Sequence, residues 1–211
     1  MKRILLVFAM AFAAMSAMAQ APFTVGSYNI RYENTGDAER GNAWDVRSKA
    51  MFDLLEYESW DIFGAQEVLV DQLHDILDNV EGYDYIGVAR EDGKEDGEFA
   101  PIFYRKDRMN CLDKGWFWIS ETPDRPSKGW DSVCIRIATY VKLTDKENGK
   151  EYIHFNTHLD HVGIIAQING AKMIQEKAAS FGGVPVVCTG DFNVYQDSEC
   201  YNTMVSVNMK D

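Results

Sequence analysis

Residues 152–193 read YIHFNTHLDHVGIIAQINGAKMIQEKAASFGGVPVVCTGDFN. Residues 152–157 form a β-rich run. Residues 163–181 carry Ile164, Ile168, Ala171, Ile174, Ala178 and Phe181 three or four apart, the period of an amphipathic helix. Residues 184–189 are again short, apolar and β-branched. Strand, helix and strand in that order form the unit of a layered α/β domain. Working outward, residues 135–143 pair with 152–157 as a hairpin through the Asn148-Gly149 turn. Residues 99–105 and 109–119 read as neighbouring strands, with Pro101 marking an edge or bulge because proline cannot donate to a ladder. Residues 23–30, 60–66 and 83–88 read as strands. Between them come a helix capped by Asp45, with Val46, Ala50, Leu54 and Tyr57 on its apolar face, and a second helix presenting Val70, Leu73, Ile76 or Leu77, and Val80. Residues 198–205 begin one more helix.

The N-terminus has the pattern of an export signal. Lys2 and Arg3 precede an apolar run over residues 4–15, and Ala17-Met18-Ala19 is a small-x-small cleavage signal. Residues 1–19 are therefore read as a cleaved signal peptide, and residues 20–211 as one domain of a periplasmic or secreted protein. The apolar run is shorter than the roughly 20 residues of a bilayer span, and no transmembrane segment is expected. The net charge is −12, and removing the leader takes away two more positive charges. Nucleic-acid surfaces rely on clustered Lys and Arg, so the charge argues against duplex nucleic acid as substrate. The four cysteines, Cys111, Cys134, Cys188 and Cys200, lack the close spacing of a zinc site. Cys188 reads as a small buried hydrophobe, and the pairing of the other three is open.

Four strands leave the apolar pattern at a polar residue: Asn29, Glu67, His158, and Asp191 with Asn193. Ligands of α/β sheets sit beyond the carboxyl ends of strands, so these exits could converge on one site. Hard oxygen donors such as Glu67, Asp191 and Asn29 suit Mg²⁺ or Mn²⁺ and leave coordination positions to water and phosphate. His154 and His158 are four apart on one strand, about 13 Å at the usual rise, too far to share an ion. His154 is read as structural, His74 as solvent-facing and His158 as the functional imidazole.

Seven segments, in order along the chain, resemble the endonuclease/exonuclease/phosphatase superfamily, the DNase I-like fold. They are Ser27-Tyr28-Asn29-Ile30-Arg31, Gln66-Glu67-Val68, Ile102-Phe103-Tyr104-Arg105, Phe117-Trp118-Ile119-Ser120-Glu121-Thr122-Pro123, Gly129-Trp130-Asp131, Asn156-Thr157-His158-Leu159-Asp160-His161 and Gly190-Asp191-Phe192-Asn193. The resemblance implies a four-layer α/β sandwich, with two mixed β-sheets face to face and helices outside. It implies a metal-dependent phosphoester hydrolase, a phosphodiesterase, phosphatase or nuclease using Mg²⁺ or Mn²⁺. Within it Glu67 and Asn29 match metal positions, and Tyr104 and His158 match contacts to the scissile phosphate. Asp191 matches the residue that activates water, and Asn193 matches a phosphate-orienting amide. Arg136 falls in a segment resembling a substrate-binding strand, and Glu98 in a family-like segment without a firm role. Gln167 stands where the family pattern has Arg. The family ends in further strands and an Asp-His element, and no histidine follows His161. The expectation is therefore a domain incomplete at its C-terminus, with C-terminal strands missing and little activity from residues 20–211 alone.

Two functional classes follow from this reading. The first is a monomeric hydrolase of small phosphoesters, sugar phosphates or lipid head groups. The alternative is a non-catalytic ligand-binding module that keeps the fold, with Trp44, Trp116, Trp118 and Trp130 as stacking surfaces rather than core. A serine hydrolase is unsupported, since no Gly-x-Ser-x-Gly elbow is present.

Overall fold

The computed structural model describes residues 23–206 and 209–210, so the signal-peptide reading falls outside the described residues. The elements are β1 (Val25–Asn29), α1 (Thr35–Glu39), α2 (Trp44–Glu58), β2 (Ile62–Gln66), α3 (Val70–Asn79), β3 (Tyr83–Ile86), β4 (Ile102–Arg105), β5 (Met109–Trp118), β6 (Ile137–Asp145), β7 (Glu151–His158), α4 (Ile164–Ala179), β8 (Val186–Asp191) and α5 (Glu199–Met204). They form two four-stranded sheets ordered β1-β2-β4-β3 and β5-β6-β7-β8. Each sheet is mixed. In the first, β1 runs parallel to β2 and the other pairs are antiparallel. In the second, β7 runs parallel to β8 and the other pairs are antiparallel.

Strand alternation divides the apolar side chains into three layers of core. Phe63 and Phe103 face outward onto Met51 and Leu55 of α2 and Leu73 and Ile76 of α3. Ile62, Ile102, Val141 and Leu143 fill the space between the sheets. Ala138, Ile153 and Phe155 meet Ile174 and Ala178 of α4 and Met204 of α5. The order helices, sheet, sheet, helices is the four-layer α/β sandwich. Among the described residues no helix is long and apolar enough to cross a membrane.

Two helix faces differ from the sequence expectation. In α2 the buried residues are Trp44, Met51 and Leu55, whereas Val46 and Tyr57 are exposed. Both sets fit a helical period. The Trp44 indole decides between them by donating Nε1–H to Asp75 of α3 at 2.6 Å. The helix also starts one residue before Asp45, which lies in its first turn and not at its cap. In α4, Ile164 is exposed and the buried stripe begins at Ala166 and Gln167.

A buried polar chain ties the sheets together. His154 Nε2 lies 2.8 Å from Thr189 Oγ1, which donates to Asn156 Oδ1 at 3.0 Å. The same oxygen accepts Gln66 Nε2 at 2.7 Å, and Asn156 Nδ2 donates to the Ala65 and Pro101 carbonyls at 2.6 and 2.9 Å. Gly64 makes room for this chain, since a Cβ there would sit 2.1 Å from Thr189 Oγ1. Burial pushes the His154 ring down to about 3. An unfolded histidine titrates near 6.5, so between these values the unfolded chain binds a proton that the folded chain does not. Stability attributable to His154 is therefore present above pH ~6.5 and falls by about 1.4 kcal/mol per unit below it. Urea midpoints of wild type and His154→Gln measured between pH 7 and 5 should show the steeper decline in wild type. Parallel declines would remove His154 as the cause.

Candidate active site

In each sheet the parallel pair ends at the same edge of the molecule. Asn29 pairs with Gln66 at the ends of β1 and β2, and His158 pairs with Asp191 at the ends of β7 and β8. The chain then turns sharply at Arg31, Glu67 and Asn193, three of the five non-glycine residues with positive φ among the described residues. Such conformations are costly and persist where the surroundings impose them. Here they bring polar side chains from both sheets into one cleft of about 520 Å³, lined by Ser27, Asn29, Gln66, Asp191, Asn193 and Tyr195 among others.

Asn29 is the hub. Its Nδ2 donates to Glu67 Oε1 at 2.9 Å and to Asp191 Oδ2 at 3.0 Å. Its Oδ1 accepts Arg31 N–H at 2.9 Å. The structure thus turns the amide nitrogen of Asn29 toward the carboxylates. Its oxygen is held by the backbone, which makes it a spacer between two carboxylates where the sequence led us to expect a metal ligand. Glu67 Oε2 also accepts Tyr32 N–H at 3.2 Å. The nearby arginines are engaged elsewhere, Arg31 with Asp37 and Arg47 with the Ile30 and Arg31 carbonyls. Two carboxylates drawn together by one neutral donor form a set that fits a hard divalent cation.

His158 connects this pair to a third carboxylate. Its Nε2 is 3.9 Å from Asp191 Oδ2, and its Nδ1 is 3.6 Å from Glu98 Oε2. Arg90 grips Glu98 with both terminal nitrogens, at 2.9 and 3.0 Å. Burial alone would raise the Glu98 carboxyl, but the His158 ring and the Arg90 and Arg136 guanidinia outweigh it and hold it below the usual range. Sequence reasoning left Glu98 without a firm role because it ends a run of exposed acids. The only sequence signal was Arg90, eight residues before it.

One further expected residue takes another position, and a second lines the cleft with its amide engaged. Tyr104 is not brought to the cleft. On β4 it pairs with Ile62, at the start of β2 and so at the opposite end from Gln66, and its hydroxyl donates to Asp84 at 3.0 Å. Its burial at 6% exposure places it in the core between the sheets. Asn193 donates its amide to the Leu159 carbonyl at 3.0 Å and so pins the loop after β8 to the end of β7. Gln167 strengthens the same corner, donating to the carbonyls of Asp160 at 2.6 Å and Asn193 at 3.4 Å.

Arg136 precedes β6, acts on the Glu98 carboxyl and is 4% exposed. Its Nη2 lies 3.1 Å from His161 Nδ1. Cys134, Asp160 and His161 could bring ligand atoms within 4.8 Å of one another. A cation is disfavoured there. Both Asp160 oxygens are already occupied, by Ser132 Oγ and the Val133, Cys134, Val162 and Gly163 N–H groups, and the Arg136 guanidinium stands beside them at 3.6 Å. The four cysteines are free among the described residues.

No family model matches the chain. Solved structures do. An endonuclease/exonuclease/phosphatase family protein from Bacteroides thetaiotaomicron is 46% identical, with a TM-score of 0.85 over 87% of this chain and 68% of that one. A mannosyl-6-phosphatase from the same organism is 45% identical, with a TM-score of 0.85 over 88% of this chain and 70% of that one. An endonuclease/exonuclease/phosphatase from Bacteroides vulgatus is 43% identical, with a TM-score of 0.82 over 85% and 69%. An uncharacterized protein of Acanthamoeba polyphaga mimivirus is 25% identical over 84% of this chain, which spans 31% of that protein's length. A shared fold and identity above two in five across most of both chains lead to one assignment: the chain belongs to the endonuclease/exonuclease/phosphatase family.

Proposed function

We propose that this protein hydrolyses a small phosphomonoester by attack of water on phosphorus, with Glu67 and Asp191 as the ligands of Mg²⁺ or Mn²⁺. The observation that carries this reading is the convergence of Glu67, Asp191 and His158 from strand ends of two sheets, with Asn29 hydrogen-bonded to both carboxylates and the His158 ring 3.9 Å from Asp191. When bound, the divalent ion supplies neutralisation of the charge that develops on the phosphoryl oxygens. The protein's own groups do the rest. Asn29 fixes the spacing of the two carboxylates. Asp191, half-exposed to the cleft, is placed to accept a proton from the attacking water. His158, its Nδ1 facing the ionised Glu98, presents Nε2 toward Asp191 and donates to a phosphoryl oxygen as its charge grows. Asn193 and Gln167 keep the β7 and β8 loops in register.

The acidic charge and the 45% identical mannosyl-6-phosphatase both favour a sugar phosphate over duplex nucleic acid. The test is phosphate release by the whole protein from mannose 6-phosphate, methyl phosphate and bis(p-nitrophenyl) phosphate, with Mg²⁺ and with EDTA. Release from the monoesters that EDTA abolishes is expected. Absence of metal-dependent release from all three would overturn the reading.

A further inference from the structure

We propose that the surface formed by residues 129–134 and 160–165 is a subsite for the sugar portion of the substrate, with His161 as its oriented donor and Trp130 as its stacking face. The proposal rests on the phosphoester reading above and names what lies beyond the phosphate.

Consider first the tautomer of His161. A guanidinium has donors only, so His161 Nδ1 must accept from Arg136 Nη2. The ring is then neutral, with its proton on Nε2. The ring is exposed and its partner is buried, so the donor is held in a fixed direction by a rigid group beneath it. Arg136 has charge to spare for this task. Asp160, its nearest carboxylate, is filled by five other donors, and Arg136 Nε and Nη1 have no hydrogen-bond partner among the described residues. Positive potential under His161 favours an acceptor at Nε2 and opposes a cation.

The second observation is the apolar rim around that donor. Trp130, Val133, Val162, Ile164 and Ile165 are all exposed, between 37% and 65%. Hydrogen bonds make them neighbours. Asp131 accepts Ile165 and Ala166 N–H, while Asp160 accepts Val133 and Val162 N–H. Trp130 sits at φ 50°, with its N–H held by the Glu121 carboxylate at 3.2 Å. A bulky side chain in that region is a strained outlier, kept only where its placement is enforced. Trp44 and Trp118 pack in the core, each at 5% exposure, whereas Trp116 and Trp130 are exposed at 39% and 37%.

An aromatic and aliphatic face with one directed N–H donor matches a hexose, which offers a C–H face and a ring of hydroxyl acceptors. Arg136 links the patch to the catalytic cluster, since it holds His161 Nδ1 at 3.1 Å and acts on the Glu98 carboxyl that faces His158. The proposal places the sugar of a phosphoester held at His158 on this side of the cluster.

The experiment compares mannose 6-phosphate with methyl phosphate, which has no sugar, using the whole protein and its His161→Ala, His161→Gln and Trp130→Ala variants. The expected result is a fall of about fivefold to tenfold in the ratio of kcat/KM between the two substrates for His161→Ala and for Trp130→Ala, expressed mainly in KM. His161→Gln, which restores an N–H donor, should recover part of the loss. A purely structural role would depress both substrates together and leave the ratio unchanged. Calorimetric binding of mannose 6-phosphate should weaken by the same factor. Ratios and affinities that match wild type while mannose 6-phosphate is still cleaved would overturn the subsite and leave the phosphoester reading standing. No cleavage of either ester and no binding of mannose 6-phosphate would overturn both.

Discussion

Glu67→Gln should reduce metal-dependent phosphate release on the order of 10³-fold or more, without loss of fold. The substitution keeps the shape of the side chain, and its single amide oxygen can accept from Asn29 Nδ2 or from Tyr32 N–H, which in Glu67 are bound by different oxygens. What it removes is the negative charge that, with Asp191, suits the cleft to a divalent ion. That charge has a cost in the metal-free protein, because Glu67 and Asp191 are drawn to the same amide nitrogen. Two carboxylates so placed repel one another. Neutralising one should leave the melting temperature of the metal-free protein unchanged or higher. Mg²⁺ should raise the melting temperature of wild type, since a ligand that binds only the folded state stabilises it, and should fail to do so in the variant. A variant that keeps wild-type turnover across a magnesium titration, or keeps the full metal-induced rise in melting temperature, would remove Glu67 from the metal site.

Much of this site could be read from sequence because it obeys a rule about strands. Asn29, Glu67, His158 and Asp191 each end an apolar run, and in parallel pairs such ends lie together. What could not be read was the direction in which each side chain is used. The Asn29 amide is symmetric in a sequence, and only the Arg31 N–H shows which of its ends faces the carboxylates. Tyr104 misled because its motif matches while its position does not. β4 runs antiparallel to β2, which carries Tyr104 to the far end of the sheet, and its parity with Ile102 turns it into the core. The strand pairing, not the strand itself, was the missing information. The faces of α2 failed for a related reason, since Val46 and Met51 satisfy the helical period equally and the contact with α3 chooses between them. Gln167 departs from the family's Arg, yet its amide bridges Asp160 and Asn193, a contact that needs reach and a donor but no charge.

His158→Ala should lower kcat by roughly 10² to 10⁴-fold and change KM far less. The ring sits between two carboxylates, with Nδ1 3.6 Å from Glu98 and Nε2 3.9 Å from Asp191. Its Nδ1 is buried and makes no direct hydrogen bond among the described residues. Glu98 therefore acts on the ring through its field, fixing which nitrogen faces Asp191, and Arg90 keeps the carboxylate from swinging away. An interaction of this kind gains strength as negative charge moves onto the phosphoryl oxygens, so its loss is felt in the transition state more than in substrate binding. Glu98→Gln keeps a hydrogen-bonding group in place but removes the charge, and should give a smaller loss in the same direction. Because Glu98 is held below the usual carboxylate range, it stays ionised through neutral pH, and the acid limb of the kcat profile should not report its titration. The competing account is that His158 only closes a hydrogen-bonded loop running to His161. That account predicts a raised KM or a collapsed melting temperature in His158→Ala with kcat preserved, and either result would displace His158 from the chemistry.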